Sequence, residues 1–220
     1  MKLLTENPYF ILGLPITASE RDIVKRIDDL NLYIKMNEIP SYPSDNYIGC
    51  DIKRNIDLIN SSKQKLDLNK NKLFQSIFWF WDTTSNMNDQ MAFAELEKGN
   101  KEKAIEYWLS GTKEGISLSN SSNFKNLSIL YLSDSFKNKK INIDNFLNGL
   151  SLMSDFFSVE SSQPENGFFK TLSRIHFEGE VIDANQIIKD YANEILSIAT
   201  PFISKKQSNT INRDGRVTKS

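Results

Sequence analysis

The chain has 220 residues, of which 39% are hydrophobic and 11% aromatic, enough for a substantial core without metals or disulfides. Its 27 basic and 28 acidic residues nearly cancel, so no global field attracts nucleic acid or an acidic membrane. A single cysteine, Cys50, excludes an intramolecular disulfide, and no run approaches the ~18 apolar residues of a membrane span. These bounds predict a cytoplasmic protein with neither membrane nor nucleic acid as a partner.

A capping-box pattern marks the start of the first long helix. Either Thr17 with Glu20 or Ser19 with Asp22 provides the hydroxyl and the carboxylate that occupy free backbone donors. An apolar stripe follows at helical spacing, and the pattern predicts a helix that ends near Met36. The stripe consists of Ile23, Ile27, Leu30 and Ile34.

The middle of the chain alternates breakers with apolar segments. Prolines, serines and glycine between Asn37 and Gly49 predict a loop, and a helix is expected from about Asp51 to Leu66. The aromatic run LFQSIFWFW, residues 73 to 81, is too apolar for a surface helix, so we interpret it as the hinge between two helical layers.

Helical pairs are predicted beyond this run. The first joins Gln90–Lys98 to Glu102–Leu109 through a turn at Gly99 and Asn100. The second joins Phe124–Phe136 to Ile143–Phe157. A last helix begins after Asp183 and is expected to end at Pro201.

These elements predict an all-α protein, because strand signals of alternating β-branched residues between tight turns are absent from the sequence. Three parts are expected: a helical module at 1–82, a helical repeat-like domain at 83–203, and a basic, disordered tail at 204–220.

The N-terminal segment resembles the opening of a J-domain. Tyr9-Phe10-Ile11-Leu12-Gly13 matches an aromatic-x-x-Leu-Gly run, and Asp22-Ile23-Val24-Lys25-Arg26 matches the start of that family's second helix. The resemblance covers roughly residues 7 to 81 and implies a co-chaperone fold. It also implies that helices around 51–66 and 70–81 are the third and fourth helices of that fold.

The functional residues of that family do not carry over. Where a working J-domain has His-Pro-Asp, which triggers ATP hydrolysis in a DnaK-type chaperone, this chain has Lys35, Met36 and Asn37. Asp28 and Asp29 also interrupt the basic side of the second helix. We therefore interpret the module as a degenerate J-domain that is not expected to stimulate such an ATPase.

A second resemblance is to the tetratricopeptide repeat. It rests on Ala94-x-Leu96-x-x-Gly99-Asn100 followed by Lys103-Ala104-Ile105-Glu106-Tyr107-Trp108. A small Ala104 lets antiparallel helices approach closely, and Tyr107 or Trp108 fills the space between neighbouring pairs. The resemblance implies antiparallel helical hairpins behind the J-like module.

No catalytic or cofactor pattern stands out in the sequence. Cys50 has no nearby base, and the single histidine, His176, is interpreted as a surface or core residue. No phosphate-binding glycine loop, dinucleotide fingerprint or nucleophile elbow occurs. We expect no enzyme activity, no cofactor and no metal.

The sequence therefore predicts a non-enzymatic adaptor that binds a protein partner of unknown identity. The alternative is a regulatory or sensor subunit of a larger bacterial enzyme or defence complex. Candidate partner-binding residues lie on the exposed side of the second J-like helix and in a groove of the first helical pair. They are Lys25, Arg26, Asp28, Asp29 and Lys35 in the former, and Glu95, Lys98, Lys101 and Lys103 in the latter.

Overall fold

A computed structural model describes the backbone of residues 1–83, 85–137, 140–178 and 182–217. This part of the chain is mostly helical, with one antiparallel pair of two-residue strands, and confirms the expected all-α class. The elements in order are α1 (Lys2–Thr5), α2 (Pro8–Leu12), α3 (Glu20–Lys35), a 3-10 turn (Pro43–Asn46), α4 (Ile56–Leu66), α5 (Asn69–Ile77), α6 (Met87–Glu97), α7 (Lys101–Thr112), α8 (Ser121–Ser135), β1 (Phe136–Lys137), β2 (Lys140–Ile141), α9 (Ile143–Ser162), α10 (Gly167–His176) and α11 (Ala184–Val217).

Helix α4 starts later than the sequence predicts. The expected start near Asp51 is wrong, because Asn55 caps the helix by accepting the Leu58 amide at 2.9 Å. The preceding residue, Arg54, is 97% buried and donates through Nε to the carbonyl of Ile11 at 2.7 Å. This long-range bond fixes the backbone before the helix in a non-helical path.

The aromatic run is only partly helical, so the predicted helix over 70–81 is wrong at its C-terminal end. Helix α5 stops at Ile77, and the next residues are buried outside any helix. Lys125 Nζ donates to the carbonyl of Trp79, and Asn126 bonds the backbone of Trp81. Polar side chains of α8 thus replace the hydrogen bonds that a helix would have supplied.

The predicted hairpin of α6 and α7 is confirmed. Gly99 adopts φ +79 at the turn, as a left-handed helix end requires. Ala104 and Trp108 of α7 are fully buried, and Trp108 Nε1 donates to Asp89 Oδ1 of α6 at 2.8 Å. Asn100 occupies the N-cap position, but its side chain does not cap α7 and instead donates to Glu95.

Helices α8 and α9 form the second predicted pair. Ser128 Oγ donates to the Gly149 carbonyl at 2.6 Å, and a Cβ on Gly149 would lie 2.9 Å from Leu132 Cγ. The pair is therefore closely packed at this glycine. Buried Glu160 near the end of α9 accepts the Phe168 amide at 2.7 Å and so caps α10.

The last helix does not end at Pro201. Its backbone continues to Val217, so that prediction is wrong. Proline removes one hydrogen-bond donor and strains the helix, but it does not forbid continuation. Asp183 caps the start as expected, accepting the Gln186 amide at 3.1 Å. The expectation that residues 204–220 act as a separate, disordered tail stays a prediction.

One hydrophobic cluster includes residues of both expected parts, from Leu4 in α1 to Ala199 in α11. Across the expected boundary, buried His176 of α10 makes a 3.1 Å hydrogen bond through Nε2 with the Ile16 carbonyl. The division at residue 82 stays a prediction.

Candidate docking surface

Helix α3 is formed and oriented by local chemistry. Ser19 Oγ accepts the Asp22 amide at 3.2 Å and Asp22 accepts the Ser19 amide at 3.0 Å, which confirms the second of the two capping boxes. The Ser19 hydroxyl also donates to Asp22 Oδ2 at 2.6 Å, and this bond, together with the bond from the Ser19 amide, lowers the pKa of the Asp22 carboxyl. Ile23, Ile27 and Leu30 are buried as expected, so the opposite side of α3 faces solvent.

That exposed side carries both apolar and charged residues. Leu32 is 57% exposed, and Met36, directly after the helix, is 56% exposed. Lys25, Asp28 and Lys35 are also exposed. Successive residues of a helix are about 100° apart, so all five lie opposite the buried stripe. We call these five residues the outer face of α3.

A pocket of about 330 Å³ lies between α3 and the segment that precedes it, and Lys25 is the residue of the outer face that lines it. Predicted residues Lys25, Arg26 and Asp29 line it, which brings three of the five α3 candidates to one depression. The other lining residues are Leu14, Pro15, Thr17, Ala18 and Asp22.

Arg26 holds the N-terminal module together in addition to lining this pocket. Its Nη1 donates to the carbonyls of Leu12 at 2.7 Å and Gly13 at 3.0 Å, at the end of α2. Its guanidinium lies 4.2 Å from the centre of the Tyr42 ring. A substitution at Arg26 would therefore remove contacts with α2 and Tyr42 as well as change the surface of α3.

Arg54, which the sequence did not single out, also contacts both the end of α2 and the Tyr42 ring. Its Nη1 donates to Asp45 Oδ2 at 2.8 Å, and its guanidinium lies 4.7 Å from the Tyr42 ring centre. Tyr42 and Asp45 belong to the segment predicted as a loop, where no periodicity marks them. The two arginines tie this segment to α2.

Three of the four candidates of the helical pair make side-chain hydrogen bonds within the protein. Glu95 accepts from Lys98 Nζ at 2.9 Å and from Asn100 Nδ2 at 2.8 Å, and these bonds lower the pKa of the Glu95 carboxyl. Lys101 Nζ bonds Asp134 at 2.8 Å and joins α7 to α8. Lys103 is exposed. The structure thus gives Lys101 an internal role and does not bring the four candidates into one site.

The tripeptide that the sequence comparison sets against His-Pro-Asp ends α3. Lys35 is its last residue, Met36 is its C-cap, and Asn37 adopts φ +58. Side-chain amides tolerate this left-handed conformation better than most residues. The amide of Glu38 then donates to the Tyr33 carbonyl at 2.9 Å and fixes the path of the chain beyond the helix.

Other chemically distinctive groups lie elsewhere. Cys50 lines a pocket of about 340 Å³ with Leu4, Ile48 and Phe136. Buried Lys125 has its pKa lowered well below the ordinary value by loss of water, with Asp89 and Glu160 opposing that shift. Within the residues that the structure describes, no group of three or more His, Cys, Asp or Glu is placed to hold a metal ion.

Comparisons of the chain with protein-family models, with curated proteins and with solved structures gave no match. Over the described ranges, no helix has both the length and the apolar character needed to cross a membrane.

Proposed function

We propose that this chain is a non-enzymatic adaptor that docks a protein partner on the outer face of α3. One observation carries the proposal: Leu32 and Met36, which lie one helical turn apart, both expose more than half of their surface. Exposed apolar residues rimmed by charge are typical of protein-binding sites.

The charged residues of this face are available to a partner. The ion pairs of the described residues do not include Asp28 or Lys35, although both are exposed. Charges at the rim of an interface mainly set association rate and partner choice. Leu32 and Met36 would then supply apolar surface that is removed from water on binding.

The proposed adaptor has a degenerate J-like module followed by tetratricopeptide-like hairpins. Lys35-Met36-Asn37 supports the absence of chaperone stimulation, because none of these side chains reproduces His-Pro-Asp. The full burial of Ala104 and the hydrogen bond from Trp108 of α7 to Asp89 of α6 support the hairpin assignment. Docking on α3 is favoured over docking near Lys101, since Lys101 is bonded to Asp134.

Affinity capture from the native host tests the proposal. The bait is the full chain, and the test variant is Leu32→Ser. Leu147→Ser is a matched control, because Leu147 of α9 is 56% exposed and Leu32 57%. We expect specific proteins with the wild type and the control, and their loss with Leu32→Ser. Equal capture by both variants would place docking elsewhere.

A further inference from the structure

The charges around α3 form a self-complementary pattern. Asp28 and Lys35 are equidistant along the chain from a point between Asn31 and Leu32, and they carry opposite charges. Lys25 and Glu38 are also equidistant from that point and oppositely charged. All four of these charged residues are exposed.

Helical geometry places the three of these charged residues that lie within α3 on one side of the helix. Seven residues are close to two full turns, with a drift of only about 20°, so Asp28 and Lys35 lie on the same side of α3. Lys25 and Leu32 are also seven residues apart and share a side. Glu38 lies just past the helix, where the bond between its amide and the Tyr33 carbonyl holds the backbone.

A two-fold axis that passes between Asn31 and Leu32 would bring this surface of one copy against the same surface of a second copy. In an antiparallel pair of α3 helices, Asp28 of one copy faces Lys35 of the other, and Lys25 faces Glu38. Each pairing occurs twice by symmetry. Leu32 lies beside the axis, so the two copies of this exposed leucine contact each other.

We propose that a second copy of this chain occupies the outer face of α3, in an antiparallel pair centred beside Leu32. The inference rests on the proposed function, because it names the occupant of that docking surface. Helix α3 ends at Lys35, so the two helices overlap about this axis only over residues 28–35, a length of about 12 Å, which makes the contact smaller than a standard interface of about 800 Å² per partner. The dimer is therefore weak and depends on concentration.

Salt dependence follows from the exposure of the charges. Exposed ion pairs are screened as the Debye length falls from about 8 Å at physiological ionic strength to about 3 Å at 1 M salt. We expect the dimer dissociation constant to rise by roughly tenfold over this range.

Sedimentation of the full-length chain tests the inference with two charge variants. Asp28→Lys leaves only positive residues at positions 28 and 35, and Lys35→Asp leaves only negative ones. Each variant alone is expected to raise the dissociation constant at least tenfold. An equimolar mixture restores both opposite-charge pairings, so we expect a heterodimer close to the wild type in affinity. Recovery in the mixture also shows that both variants are folded.

Three results would overturn the inference. The first is a wild type that stays monomeric up to about 1 mM. The second is a dimer that persists in both single variants, and the third is a mixture that fails to associate. If the wild type is monomeric but Leu32→Ser still loses a captured protein, the proposed function stands with a different occupant. If capture also fails, the proposed function falls too.

Discussion

Asn126 of α8 bonds the backbone of Trp81 in both directions. Its Oδ1 accepts the Trp81 amide at 2.8 Å, and its Nδ2 donates to the Trp81 carbonyl at 2.9 Å. Both residues are buried, so water cannot replace these bonds. The side chain of Asn126 therefore supplies both backbone hydrogen bonds of Trp81, as a paired strand would. The end of the aromatic run does not need a helix to pair these groups.

Removal of this side chain is expected to destabilise the protein strongly. Asn126→Ala leaves a buried amide and a buried carbonyl of Trp81 without partners, at a cost of about 3 kcal/mol in the free energy of unfolding. Asn148→Ala, at an exposed position on α9, is the control and should change it by less than about 0.5 kcal/mol. Urea denaturation measures both. Similar losses in the two variants would contradict the role of Asn126.

Alanine substitutions at two glycines, Gly13 and Gly49, distinguish the cost of backbone strain from the cost of steric overlap. Gly13 and Gly49 adopt φ +61 and φ +59, so alanine at either position costs about 1–2 kcal/mol in left-handed strain. A Cβ on Gly13 would also lie 2.8 Å from Tyr42 Cβ, whereas Gly49 has open space around it. We expect Gly13→Ala to be about 2 kcal/mol more destabilising than Gly49→Ala in thermal or urea unfolding. Equal effects would mean that Tyr42 is not fixed against Gly13.

The burial of His176 predicts a pH dependence of stability. Burial lowers the pKa of His176 below its ordinary value of 6.5; nearby Lys72 acts in the same direction, while the Ile16 carbonyl and Glu20 oppose it. The unfolded chain therefore gains this proton at a higher pH than the folded chain. The free energy of unfolding should fall as pH drops through 6.5, until the folded imidazole is also protonated.

His176→Gln isolates this effect, because glutamine does not titrate and its amide can still donate to Ile16. Denaturation between about pH 8 and about pH 5 should show a smaller loss of stability in the variant than in the wild type. Carboxyl groups titrate in both proteins and cancel in the comparison. An identical pH dependence would show that the His176 imidazole keeps its ordinary pKa.

The end of α3 predicts no stimulation of a DnaK-type ATPase. Lys35, Met36 and Asn37 offer neither the imidazole nor the carboxylate of His-Pro-Asp. A single-turnover ATPase assay should give the same rate with and without this chain, while an active J-protein serves as the positive control. Measurable acceleration by this chain would contradict the interpretation of its N-terminal module as degenerate.

Local patterns predicted the helices well where one face is apolar and the ends are capped. The stripe through Ile23 and Ile27 and either of the two possible capping boxes predicted α3 without tertiary information, and the structure shows that Ser19 with Asp22 forms the box. The hairpin at Gly99 was equally predictable, because glycine readily adopts the left-handed conformation that ends a helix, and Gly99 does so directly after α6. These features depend on neighbours within a few residues, and such neighbours are visible in a sequence.

Long-range polar contacts were not predictable in this way. Arg54 reaches the carbonyl of Ile11, 43 residues away, and Asn126 reaches Trp81, 45 residues away. Nothing in local composition distinguishes these residues from exposed ones. Long-range contacts were also missed at the candidate site. Arginine and lysine are typical surface residues, but Arg26 and Lys101 bond to parts of the chain outside their own helices. Exposure at Leu32 was likewise visible only in the structure.

In-cell photo-crosslinking from α3 tests the docking surface most directly, whichever protein occupies it. A photoreactive residue replaces Leu32 in one variant and Leu147, which is equally exposed on α9, in the control. We predict a discrete crosslinked product from position 32 and none from position 147. A position-32 variant that forms no product, or the same products as position 147, would contradict docking on the outer face of α3.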